Sequence, residues 1–199
     1  MSGASGVAFV VATVYTVSFD GFTSTPEYQD LLFASAGRLG LAPGRTSVAL
    51  YAVGLVGFVA AFALVVRAVA RVGSAPDWRS QLRAFAPTVL PIAVGYEFAH
   101  YAPYVVQNAA RALHVALGFA VASPPAFAPL AWLSLPAYWG FEVVAIVAGH
   151  VVAVVATHRV ALARFGSPRV AWRAHLPLVA LMVGYTVLSL WLVSRPVVA

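Results

Sequence analysis

PIAVGYEFAHYAPYVVQNAAR, residues 91 to 111, sets a carboxylate and an imidazole three residues apart in an otherwise apolar run. These are the groups a bilayer tolerates least. At helical spacing Glu97, Tyr101, Tyr104, Asn108 and Arg111 form one stripe, with His100 about 60° to its side, while Val94, Phe98, Val105 and Val106 supply apolar surface elsewhere. The polar face is expected to look into protein or water and to mark a functional site. Pro103 removes the donor for the Ala99 carbonyl, so a kink or unwound turn is expected between Ala99 and Pro103.

The whole chain shares this apolar character. Its 199 residues are 62% hydrophobic and 9% charged, with a mean hydropathy of +0.89, whereas a soluble domain carries roughly 25% charged residues. No stretch alternates like a membrane-barrel strand, so an all-α, polytopic transmembrane bundle is expected in the cell membrane. Five spans are predicted in a single domain, at residues 3–19, 47–66, 84–107, 137–157 and 176–193. The first is read as a span and not a signal peptide, because no Lys or Arg precedes it and no small-x-small pattern follows. Leu31 to Leu41 is read as a short interfacial helix, and residues 108–136 as an outer loop with an amphipathic helix from Ala110 to Val121.

All 12 basic residues are arginine, and eight of them fall in two stretches, Arg67 to Arg83 and His158 to His175. The positive-inside rule makes both cytoplasmic, with the N-terminus inside and the C-terminus outside. The same rule accounts for the net charge of +6, so nucleic acid is not an expected partner. Lipid is, together with a second copy or another membrane subunit. The absence of cysteine excludes disulfides and thiolate chemistry.

The third and fourth spans run antiparallel, so depths can be compared by counting inward from Gln107 and Tyr138. Glu97 is ten residues in and His150 twelve, about 3 Å apart in depth, so these two are expected in contact. His100 at seven and Glu142 at four make a second candidate pair, and Asp20 ends the first span on the same side. Asp20, Glu97, His100 and His150 are the candidate ligands of a divalent metal ion, and Glu97, His100 and His150 the candidate catalytic groups. Glu142, His150 and His158 recur every eight residues, about 12 Å of rise, so a straight helix cannot bring two of them to one ion. His114, His158 and His175 are read as solvated surface residues, and Tyr138, Trp139, Trp172 and Trp191 as interfacial anchors. A structural network that fixes helix register accounts for the same buried groups.

VSFDGFTSTPEY, PIAVGYEFAHYAPY, AIVAGHVVAVVATHRVAL and LMVGYTVLSLWLVSRP together resemble the C-terminal half of the fenitrothion hydrolase-like family of polytopic membrane proteins, whose members are about twice this length. By motif the resemblance matches Asp20, His100, Tyr101, His150, His158 and Tyr185, whereas Glu97 departs from the pattern. It implies a metal-activated water attacking an organophosphate-like ester. From the residues alone, a proton- or ion-coupled transporter and a structural subunit of a larger membrane complex stand beside it.

Overall fold

The computed structural model describes residues 3–116 and 133–195, which hold seven α-helices and one short 3₁₀ helix. No strand occurs among the described residues. The α-helices are α1 (Ala4–Thr23), α2 (Pro26–Leu39), α3 (Pro43–Val72), α4 (Trp78–Phe85), α5 (Leu90–Ala116), α6 (Leu135–Phe165) and α7 (Pro168–Val193).

Local chemistry sets the joints. Thr25 caps α2 by accepting from the Tyr28 N–H at 3.3 Å, Pro26 supplies the preset first residue, and Gly40 closes the helix at φ 63°. Asp77 caps α4 through the Arg79 N–H at 2.9 Å. Gly166, also at φ 63°, ends α6, and after Ser167 the chain re-enters a helix at Pro168. The 3₁₀ turn at Ala86–Val89 has a specific cause. Pro91 cannot donate to the Pro87 carbonyl, so the Leu90 N–H donates there instead, one residue early.

Five long helices form a ring in the order α1, α3, α7, α6, α5 and back to α1. The core lies between them, built from Val10, Val14 and Val17 of α1, Phe62, Val66 and Val69 of α3, Ile92, Tyr96 and Ala99 of α5, Ile146 and Ala153 of α6, and Leu178 and Met182 of α7. α5 and α6 approach backbone to backbone. A Cβ on Gly149 would lie 2.6 Å from the Pro91 carbonyl oxygen, and one on Gly95 2.8 Å from that of Ala145. Small residues permit this backbone-to-backbone crossing.

Outward surfaces are apolar. Val48, Val53, Val56 and Leu64 of α3 are all more than 60% exposed. Four helices, Ser5–Thr23, Pro43–Val72, Pro136–Phe165 and Pro168–Val193, are long and apolar enough to cross a membrane. The third predicted span, residues 84–107, falls mostly on α5, which is long enough at 27 residues but carries too many polar groups to join them.

The arginine stretches are less loop than expected. α3 runs to Val72, α6 to Phe165 and α7 starts at Pro168, so Arg67, Arg71, Arg159, Arg164, Arg169 and Arg173 sit on helix ends and only Gly166 and Ser167 separate α6 from α7. Both stretches do lie at one end of the bundle. Phe85 stacks on Phe165 at 6.5 Å, Arg164 Nη1 donates to Ser80 Oγ at 3.1 Å, and Arg67 covers Trp78 at 4.1 Å. Asp77 is the acid of this end, while Asp20, Glu27, Asp30, Glu97 and Glu142 lie toward the other.

Two expectations are corrected. Residues 99–107 are α-helical throughout, so the unwound turn at Pro103 is absent; the break falls at Pro87 and Pro91, where two missing donors come within one turn. α5 continues to Ala116, so residues 108–116 of the predicted outer loop are helix; the amphipathic helix expected from Ala110 to Val121 is the end of α5 as far as Ala116, and its remainder lies outside the described residues. The helix expected near Leu31 is present as α2, longer than expected and starting at Pro26.

Gly149→Ala is expected to lower the midpoint of thermal unfolding in detergent, at a cost of about 1–3 kcal/mol for overpacking a tight crossing. Gly140→Ala, on the same helix but with nothing within 4 Å of its new Cβ, is the control and should leave the midpoint unchanged.

Candidate functional site

A pocket of about 310 Å³ opens at the acid-rich end where four long helices and the α1–α2 joint converge. α1 and the joint supply Gly21, Ser24 and Thr25; α5 supplies Tyr96 and His100; α6 supplies Tyr138, Trp139 and Glu142; Leu192, Val193 and Arg195 come from α7 and its end. Tyr96 enters because Gly21 offers no side chain, its hydroxyl occupying the place a Cβ would take.

Glu142 is the most constrained polar group here. It is 5% exposed, and its Oε1 accepts from the Tyr138 hydroxyl at 2.7 Å, one turn earlier on the same helix. His100 stands on the α5 side, its ring stacked on Tyr96 at 5.8 Å and 20° and edge-on to Tyr101 at 4.9 Å. Arg195 closes the rim, with Nε 3.2 Å from Glu27 Oε1 and its guanidinium 4.6 Å above the Trp191 ring.

The other predicted site residues are elsewhere. Asp20 is exposed in the last turn of α1, its Oδ2 accepting from the Tyr101 hydroxyl at 2.8 Å. Glu97 is half-buried and lines a separate apolar groove of about 860 Å³ with Thr13, Val94, Phe98, Tyr101 and Phe141. His150 is 4% exposed inside the bundle, where its Nδ1 meets the Ile146 carbonyl at 2.8 Å, its ring lies 6.1 Å from that of Tyr185, and its Nε2 has no partner. Neither ring nitrogen has Glu97 as a partner, so the contact expected between Glu97 and His150 is not made as a hydrogen bond.

The polar stripe is also turned outward. Tyr101 is 39% and Tyr104 65% exposed, Arg111 is exposed, and Asn108 is half-buried with Nδ2 donating to the Tyr104 carbonyl at 2.8 Å. α5 instead packs through Ile92, Ala93, Tyr96 and Ala99, the face that the glycine crossing brings against α6.

A protein-held divalent ion needs at least three converging donors. Among the described residues no three His, Asp or Glu side chains converge, and the pocket offers His100 and Glu142 only. The four expected ligands, Asp20, Glu97, His100 and His150, are therefore not gathered at one point among the described residues.

His175 corrects another expectation. It is 2% exposed, with Nδ1 on the Ala171 carbonyl at 2.7 Å, and its ring lies 5.0 Å from that of half-buried His158 and 5.4 Å from Trp172. This trio packs at the arginine-rich end, so these two histidines are packed and not solvated. The side chain of His114 lies outside the described residues.

Sequence reasoning missed Tyr96, Arg195 and Thr25 as pocket residues, since only the tertiary fold brings them together. Tyr138 and Trp139, read as interfacial anchors, also line the pocket; the signal available for Tyr138 was its place four residues before Glu142, the spacing that puts a phenol over a carboxylate on one helix face.

Fold and pocket define a class: an all-helical bundle with four helices able to cross a bilayer and a polar pocket at one end. No family model, curated protein or solved structure matches the chain.

Tyr138→Phe leaves the Glu142 carboxylate without its phenol donor and is expected to cost about 1–3 kcal/mol in detergent unfolding. Tyr101→Phe, which removes an exposed partner of exposed Asp20, should cost under about 1 kcal/mol. Equal losses in the two variants would contradict the burial assigned to Glu142.

Proposed function

We propose that the chain is a multi-pass membrane protein of the transporter class, whose pocket binds a small polar solute that reaches it from the outer water phase. Five spans, α1, α3, α5, α6 and α7, cross the bilayer, with the arginine-rich end cytoplasmic and the C-terminus outside. The distribution of arginines and the apolar outward faces support that orientation.

One observation carries the solute site: Glu142, a buried carboxylate with a single phenol partner, faces a pocket that also holds the imidazole of His100. An ionisable pair inside a membrane bundle marks a solute or proton path. Aromatic rings and hydroxyls fill out the lining, as in small-molecule sites. In this reading Glu142 and His100 meet the solute and exchange a proton with it or with water, and Tyr138 orients the carboxylate.

The chain has no cysteine, so single cysteines report cleanly on sidedness. In intact cells a membrane-impermeant thiol reagent added outside is expected to label Ser24→Cys, in the pocket, and to spare Ser74→Cys and Ser167→Cys. Labelling of Ser74→Cys or Ser167→Cys from outside overturns the orientation, and a Ser24→Cys protein that reacts from neither side overturns the water-facing pocket. Metal in stoichiometric amount in purified protein, lost on His100→Ala, would instead favour the organophosphate hydrolase that the family resemblance implies.

A further inference from the structure

The charges and surfaces around Glu142 narrow the solute further. Its carboxylate is buried, yet among the described residues no basic side chain lies within ion-pair distance of it, His100 facing it across the pocket without a salt bridge; the ion pair found there joins Arg195 to Glu27. Arg195, the cation at the pocket rim, is thus already engaged by Glu27 below it and by Trp191 through its ring. A buried carboxylate without a counter-ion is held at a cost of several kcal/mol, which a bound cation relieves.

The walls decide which kind of cation. Tyr96, Tyr138, Trp139 and the His100 ring present aromatic surface, and Tyr96 is itself 4% exposed. Free oxygen ligands are few: besides Glu142 there are the hydroxyls of Ser24, Thr25, Tyr96 and Tyr138, of which Tyr138 already donates to Glu142 at 2.7 Å and Thr25 Oγ1 to the Phe22 carbonyl at 2.7 Å while capping α2. Calcium takes six to eight oxygens and magnesium an octahedron of them, so an inorganic divalent ion is poorly served. An ammonium group carrying methyl or methylene surface is well served, because aromatic faces attract such cations and the carboxylate neutralises them. A volume of about 310 Å³ holds one small molecule of this kind.

We infer that the pocket takes a small organic cation bearing an ammonium group, with Glu142 as counter-ion and Tyr96, Tyr138 and Trp139 as walls. This rests on the reading of the pocket as a solute site.

Choline is the probe, and 3,3-dimethylbutan-1-ol its uncharged counterpart of the same shape. In detergent-solubilised protein, choline is expected to raise the unfolding midpoint in a concentration-dependent way, and dimethylbutanol to leave it unmoved. Glu142→Gln should weaken choline by about thirtyfold or more, the effect of losing a buried charge partner. Trp139→Ala should weaken it by about tenfold. Trp139 is 42% exposed, so its removal spares the core and keeps the test valid should Glu142→Gln fold poorly. Equal stabilisation by both probes, no response to choline in the wild type, or unchanged choline affinity in Trp139→Ala overturns the inference. A midpoint raised by acetate and not by choline also overturns it while leaving the solute pocket standing, whereas a Ser24→Cys protein closed to reagent from both sides removes the pocket itself.

Discussion

Where α5 and α6 cross there is room for backbone only. Gly95 and Gly149 face each other, and a methyl group on either would press into the opposite helix. This contact sets the register of the two antiparallel helices, and the positions of the polar residues follow from it. His100 is five residues past Gly95 and Glu142 seven before Gly149, so both are displaced toward the acid-rich end, by about 7.5 and 10.5 Å. They arrive at similar depth on facing flanks, and the pocket forms between them.

The same crossing explains why counting depth along a helix was half sufficient. Glu97 and His150 are at nearly the same level, two residues and one residue from their respective glycines. Their directions differ. One residue on from Gly149 turns His150 about 100° around α6, toward Tyr185 of α7, and two residues on from Gly95 turns Glu97 about 200° around α5, away from the crossing. Axial position follows from rise per residue and was legible. Azimuth depends on which face the partner helix selects, and the selection here was made by glycine and alanine, residues that carry no chemical signal of a site.

The class of fold was legible for a different reason. Hydrophobic runs long enough to span a bilayer are a property of composition and length, and they needed no knowledge of contacts. Boundaries were less so. The predicted spans stop at the first charge, but Arg67, Arg71, Arg159 and Arg164 continue their helices for a turn or more beyond the apolar run. An arginine at the C-terminal end of a helix favours the dipole and carries an apolar stem, so it prolongs a helix as readily as it ends a span. Prolines misled in the same way: Pro103 stands inside continuous helix, while the 3₁₀ turn falls at Ala86–Val89, between Pro87 and Pro91.

The outward stripe of α5 then has a simpler cause than a buried site. Tyr101 meets Asp20 in the last turn of α1, so α5 residues beyond it pass the end of that helix. From Tyr104 onward Val105, Val106, Gln107, Arg111, Leu113 and Val115 are all exposed, with no helix among the described residues covering them. The packed part of α5 is the stretch from Leu90 to His100, lined inward by Ile92, Ala93, Tyr96 and Ala99. Polar residues past that point lie beyond the packed part of the described bundle, and tyrosine and arginine are residue types that a membrane interface favours. Glu97 is the exception, a carboxylate on the packed length of α5 that faces an apolar groove and not the pocket. The two acids of the central helices are thereby separated by role: Glu142 is turned inward and held by a phenol, while Glu97 borders the open side of the helix next to Tyr101.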